Sequence, residues 1–164
     1  MEENKDITVC FTGHRNIPSK EFLDLNNYIY AVTEKCIENG YKYFLTGGAL
    51  SFDALAALTV LSLRKTFKDI KLILVLPCRD QAKMWNENDV KVYEKIKEQA
   101  DEIIYTSEHY FKGCMHKRNR YLVDHSSLCI SYLKKDAGGT AYTVDYALRS
   151  GIEVINIFNI SSCN

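Results

Sequence analysis

Short apolar runs recur along this chain at residues 7–11, 41–45, 71–76, 102–105, 128–133 and 153–158. Each is separated from the next by a stretch of helical length or by a helix-plus-loop stretch. Phe22, Leu25, Ile29, Val32 and Cys36 recur at helical spacing, and Gly40 follows as a stop. Residues 51–64 are rich in Ala and Leu, with Ser51 as candidate N-cap. A charged helical region is expected over 80–99, broken near 86–88. Met115, Asn119, Leu122 and Val123 mark a further helical face. Ala141, Val144, Ala147 and Leu148 mark another, stopped by Gly151. No Asn-Gly or Asp-Gly turn joins one strand directly to the next. Strands without hairpins must run parallel and be linked by helical crossovers. Right-handed crossovers put helices on both faces of an open sheet. Ligands of such sheets sit at the carboxyl ends of the strands.

The 164 residues, 46% hydrophobic and 26% charged, suit a single domain over 1–164. Lys plus Arg number 21 and so do Asp plus Glu, which gives zero formal charge. A neutral chain lacks the basic field that non-specific nucleic-acid binding draws on, so no nucleic-acid partner is expected. The first residues carry no apolar segment, and apolar runs such as 70–78 fall short of the roughly 20 residues a membrane helix needs. The expected location is cytoplasmic, without membrane contact. The six cysteines then stay reduced and act as small buried hydrophobes. Cys114 and His116 lack two further ligands, so no metal site is expected.

The ends of the strands carry the chemistry. Thr12-Gly13-His14-Arg15 follows the first, Thr46-Gly47-Gly48-Ala49 the second, and Asp136-Ala137-Gly138-Gly139-Thr140 the fifth. The last two run into helices. A glycine turn that opens a helix presents backbone N–H groups and the positive end of the helix dipole to an anion. Thr46 and Thr140 can add hydroxyl donors, and Arg15, Arg118 and Arg120 fixed positive charge. The bland reading is that these glycines only make tight turns. Two Gly-Gly loops at equivalent places, together with Thr-Gly-His-Arg, favour a phosphate or nucleotide site. Neither loop is a Walker motif or a GxGxxG fingerprint.

These motifs, with Phe52-Asp53, Pro77, Gln81 and Trp85, and Cys114-Met115 before Arg118-Asn119-Arg120, occur in an order that resembles the YpsA-like, TGHR-type branch of the SLOG superfamily. The resemblance covers about residues 9–158. It implies a Rossmann-like three-layer α/β/α sandwich with a mostly parallel sheet, and a nucleotide or nucleotide-derived ligand such as an ADP-ribose relative. It also implies a homodimer. Other branches include the LOG phosphoribohydrolases and the DNA-processing protein DprA. The LOG helix motif Met-His-x-Arg-Lys is similar to Met115-His116-Lys117-Arg118-Asn119, so Arg118 falls on its catalytic or phosphate-facing arginine. The LOG loop Pro-Gly-Gly-x-Gly-Thr-x-x-Glu is shortened here, and Thr143 stands where its glutamate would be. A threonine cannot carry the negative charge that stabilises an oxocarbenium-like state.

The candidate ligand-binding residues are therefore Gly13, His14, Arg15, Thr46, Gly47, Gly48, Asp53, Gly138, Gly139 and Thr140, with Arg118 as the candidate catalytic residue. Arg118 and Arg120 are two apart on a helix and point in different directions, which leaves Arg120 as a surface or interface charge. Asp53 either binds a ribose hydroxyl or caps its helix. Asp124 can pair with Arg120 four residues before it. Trp85 shares a helical face with Gln81 and either stacks on a base or joins the core or a dimer interface. Three functions follow: a binding or sensor module for a small phosphorylated ligand, a phosphoribohydrolase acting on nucleoside monophosphates, or single-stranded DNA binding in the manner of DprA.

Overall fold

A computed structural model of the chain describes residues 2–161, and Cys163 lies outside the described residues. Six strands form one sheet: β1 (Thr8–Gly13), β2 (Tyr43–Thr46), β3 (Lys71–Leu76), β4 (Glu102–Tyr105), β5 (Leu128–Tyr132) and β6 (Glu153–Asn156). Their order is β4-β3-β2-β1-β5-β6, and every pairing is parallel. The chain builds outward from β1 to β4, then crosses back to lay β5 on the other side of β1. The strand order therefore reverses between β1 and β5, and a crevice opens at their carboxyl ends.

The pleat sorts the side chains into two cores. On one face Val9, Phe11, Phe44, Leu72, Leu74 and Ile130 pack beneath α1 (Phe22–Glu38), α2 (Phe52–Arg64), α3 (Glu87–Gln99) and the short α6 (Ile157–Ser161). On the other, Cys10, Leu45, Ile73, Val75 and Cys129 pack against Leu122 and Val123 of α4 (Cys114–Asp124) and Ala147 of α5 (Gly138–Arg149). Helices on both faces make the three-layer sandwich. They also account for strands such as β3, which is buried along nearly its whole length and reads as one apolar run.

Among the boundaries that differ from the sequence reading, two turn on an asparagine. The charged stretch does not become helical at residue 80. Residues 79–84 form turns, and Asn86 caps α3 by accepting from the Asp89 amide at 2.9 Å. Gln81 and Trp85 consequently lie in a turn and not on one helical face. At the other end β6 stops at Asn156. The Asn156 amide accepts from the Leu133 N–H and donates to the Leu133 carbonyl, both at 3.0 Å, which replaces the next backbone pairing. Its oxygen also accepts from the Phe158 amide, turning the chain into α6.

Candidate functional site

A cleft of about 570 Å³ opens where the strand order reverses. Gly13, His14 and Arg15 form one wall, and Gly138, Gly139 and Thr140 another. Asp53 from α2 and Arg118 from α4 close its floor. Thr46, Gly47 and Gly48 do not line it; among that loop only Ala49 reaches the wall. The reason is packing. The Gly47 carbonyl accepts from Arg118 Nη1, and a Cβ at Gly47 would overlap the guanidinium. Gly48 packs on Leu76, and its carbonyl accepts from Gln81 Nε2 at 3.1 Å. The Thr46 hydroxyl is fully buried, with no hydrogen-bond partner among the described residues. This loop seats the arginine rather than offering bare amides to the cleft.

Arg118 is 4% exposed. Its Nε donates to Asn119 Oδ1 at 2.7 Å and its Nη2 points at the Met115 sulfur at 3.8 Å. A guanidinium has five N–H groups, and three of them are used in this way. Arg15, exposed on the wall that follows β1, directs its Nη2 at the same sulfur from 3.8 Å. Neither arginine forms an ion pair with a carboxylate among the described residues. Burial and the neighbouring Arg15 charge pull the Arg118 pKa down, while Asp53 acts in the other direction.

Asp53 is 6% exposed, and its Oδ2 accepts from the Ala49 amide at 3.1 Å. It thereby ties the segment before α2 to the first turn of that helix, and it lines the cleft. Burial raises its pKa against the opposing pull of Arg118, the Ala49 amide and Arg15. Behind it, a second and smaller cavity of about 70 Å³ is walled by Trp85 and Tyr93, whose rings meet edge to face. Trp85 thus belongs to the packing of α3 on α2.

His14 joins the two sides of the crevice. Its Nε2 accepts from the amides of Lys134 at 2.8 Å and Lys135 at 3.3 Å, tying the loop after β1 to the loop after β5. Burial, with the charges of Lys135 and Lys134, lowers its pKa and favours the neutral ring this geometry requires. Ser51 makes a second tie. It does not cap α2 with its side chain; its hydroxyl donates to the Arg15 carbonyl, and its backbone sits at φ 58°. That left-handed conformation is strained for a residue with a Cβ.

α5 begins at Gly138, with no side-chain cap on its first turn. Its first residues, Gly138, Gly139 and Thr140, line the cleft at the positive end of the helix dipole. Thr143 donates back to the Gly139 carbonyl at 2.7 Å and is fully buried. Asp145 is engaged with Arg149 on its own helix. Arg120 lies off the cleft and donates to the Tyr142 hydroxyl at 2.9 Å. Asp124 accepts from the Tyr146 hydroxyl at 2.8 Å. Sequence reasoning did not assign a site role to Met115 or Asn119; both act by holding Arg118, and their spacing from it along one helix was the available signal. No group of three His, Cys, Asp or Glu side chains capable of holding a metal occurs among the described residues, and no helix there is long and apolar enough to cross a membrane.

The fold is shared with DprA. The chain superimposes on DprA of Streptococcus pneumoniae with a TM-score of 0.64 and 16% identity, covering 91% of this chain and 49% of that one. For DprA of Helicobacter pylori, described for its single-stranded DNA binding mode, the TM-score is 0.64 with 18% identity, covering 92% and 64%. The chain thus spans about half to two thirds of these proteins. The SPbeta prophage-derived protein YoqJ of Bacillus subtilis is 32% identical over 141 residues, 78% of this chain and 82% of that protein. A UPF0398 protein of Staphylococcus haemolyticus is 25% identical over 142 residues, 81% of this chain and 76% of that one. The family model of YpsA, described as the YspA SLOG family, matches residues 10–158, and with that span of agreement the chain belongs to the YpsA branch of the SLOG family.

Proposed function

We propose that the cleft between β1 and β5 binds a nucleotide or nucleotide-derived phosphorylated ligand. The observation that carries this reading is the pair of arginines converging on one thioether with no carboxylate paired to either. A buried guanidinium without an ion partner is costly, and an anionic guest relieves that cost. The uncapped first turn of α5 supplies amide donors to the same anion. Thermal unfolding with and without nucleoside mono- and diphosphates tests the reading. A ligand held at 100 times its Kd stabilises by about 2.7 kcal/mol, while absence of any shift with every phosphorylated nucleoside overturns it.

Asp53 favours a second reading, hydrolysis of the N-glycosidic bond of a nucleoside monophosphate. The carboxylate absent at Thr143 has a counterpart in the same cleft, on the opposite glycine-loop helix. Release of free base from nucleoside monophosphates, lost in Asp53→Asn, supports catalysis; binding without base release leaves a sensor-like module. Single-stranded DNA, the ligand in the description of the H. pylori neighbour, presents the same phosphate chemistry. An oligonucleotide arm in the titration separates it: tighter binding of a single strand than of any free nucleotide replaces the small-ligand reading.

A further inference from the structure

Three aromatic rings climb the outer side of α4 and α5 toward the cleft. Tyr146 and Tyr142 lie 6.4 Å apart with planes 8° from parallel. His116 stacks on Tyr142 at 4.0 Å, again within 8°. The tyrosines are fixed at their rims: Arg120 donates to the Tyr142 hydroxyl, and the Tyr146 hydroxyl donates to Asp124. The stack therefore stands in one orientation before any ligand arrives. Tyr142 covers one face of His116, yet His116 remains exposed and lines the cleft. Tyr110, 65% exposed, lines the same cleft. Tyr142 is about 4.5 Å of helix rise along α5 from Gly139, and His116, the ring at the cleft end of the series, lines the same cleft as Gly139.

We infer that the open face of His116 is a nucleobase platform, on which the base of a bound nucleotide stacks as the fourth ring of the series. This rests on the cleft binding the phosphate of the same ligand. Stacking reads the π-face and not the hydrogen-bonding edge of a base. The platform therefore favours purines over pyrimidines by overlap, and both over a ligand that has no base. Calorimetric titration with adenosine 5′-monophosphate, uridine 5′-monophosphate and ribose 5-phosphate tests it. The wild-type chain should bind them in that order of affinity. His116→Ala should weaken the adenosine nucleotide roughly tenfold and leave ribose 5-phosphate unchanged. His116→Phe, which keeps a ring on Tyr142, should retain the wild-type preference. Equal loss for base-bearing and base-free ligands in His116→Ala overturns the platform, as does equal wild-type affinity for all three; in either case the phosphate site stands. Failure of the wild-type chain to bind any of the three overturns both readings.

Discussion

Arg15 and Arg118 aim at one atom. Arg15 comes from the loop after β1 and Arg118 from α4, and each directs Nη2 at the Met115 sulfur from 3.8 Å. A thioether is a weak acceptor and carries no charge. The two cations share a cleft with one buried carboxylate, Asp53, which attracts both of them but makes no contact ion pair with either.

Replacing Arg118 should therefore separate stability from binding. In Arg118→Met a flexible apolar chain fills the volume of the arginine stem, and a buried charge disappears. The unfolding free energy of the ligand-free protein in urea should stay within about 1 kcal/mol of wild type or rise. The thermal shift given by a phosphorylated nucleoside should vanish. A variant that loses several kcal/mol without ligand would mean that Arg118 serves chiefly to hold the Gly47 loop.

The His14 clasp carries a pH signature. Nε2 can accept the Lys134 and Lys135 amides only while the ring is neutral. Its pKa in the fold lies below the ordinary value of 6.5, so between the two values the unfolded chain binds more protons than the native one. The stability it contributes is complete above about 6.5 and is lost as the pH falls through the lowered native value. Urea unfolding from pH 8 to about 5 should show this decline, and His14→Gln, which keeps an acceptor but cannot titrate, should flatten it.

Asp53 has the opposite sign. Its native pKa is raised, so between the ordinary carboxylate value and the native one the folded chain binds more protons than the unfolded one, and stability falls as the pH rises through that window. Asp53→Asn preserves an acceptor for the Ala49 amide and removes the buried charge. At neutral pH the ligand-free variant should melt higher than wild type, with the difference closing as the pH falls below about 4, where the unfolded aspartate also takes up its proton. An Asn variant that melts lower at every pH would place the value of Asp53 in its attraction to the arginines.

The fold was readable because its signal is periodic and repeated. Apolar strands alternate with amphipathic stretches, and the absence of hairpin turns forces parallel pairing. The places where periodicity misled are single polar side chains that outcompete it, Asn86 capping α3 and Asn156 ending β6. Glycine motifs located the ends of β1, β2 and β5, but not what each loop does there. Gly138 and Gly139 line an open cleft, while Gly47 and Gly48 look the same in sequence and are small because Arg118 and Leu76 press on them. Whether a glycine faces a ligand or a neighbouring side chain depends on contacts dozens of residues away, which no local pattern encodes. The ring series of His116, Tyr142 and Tyr146 escaped for the same reason, since it joins two helices.

The close approach at Gly47 gives a double-mutant test. Its φ is not in the left-handed region, so an alanine there carries no backbone penalty. Its Cβ would, however, overlap the Arg118 guanidinium. Gly47→Ala should cost about 1–3 kcal/mol of stability, the range for overpacking a filled site, and should weaken nucleotide binding by displacing the arginine. In an Arg118→Ala background the same alanine meets space. The second substitution should then be nearly neutral, and the cycle should report a coupling of about 1–2 kcal/mol. Additive losses in urea unfolding would show that Gly47 is small for the sake of the backbone turn, and the seating of Arg118 against this loop would have to be withdrawn.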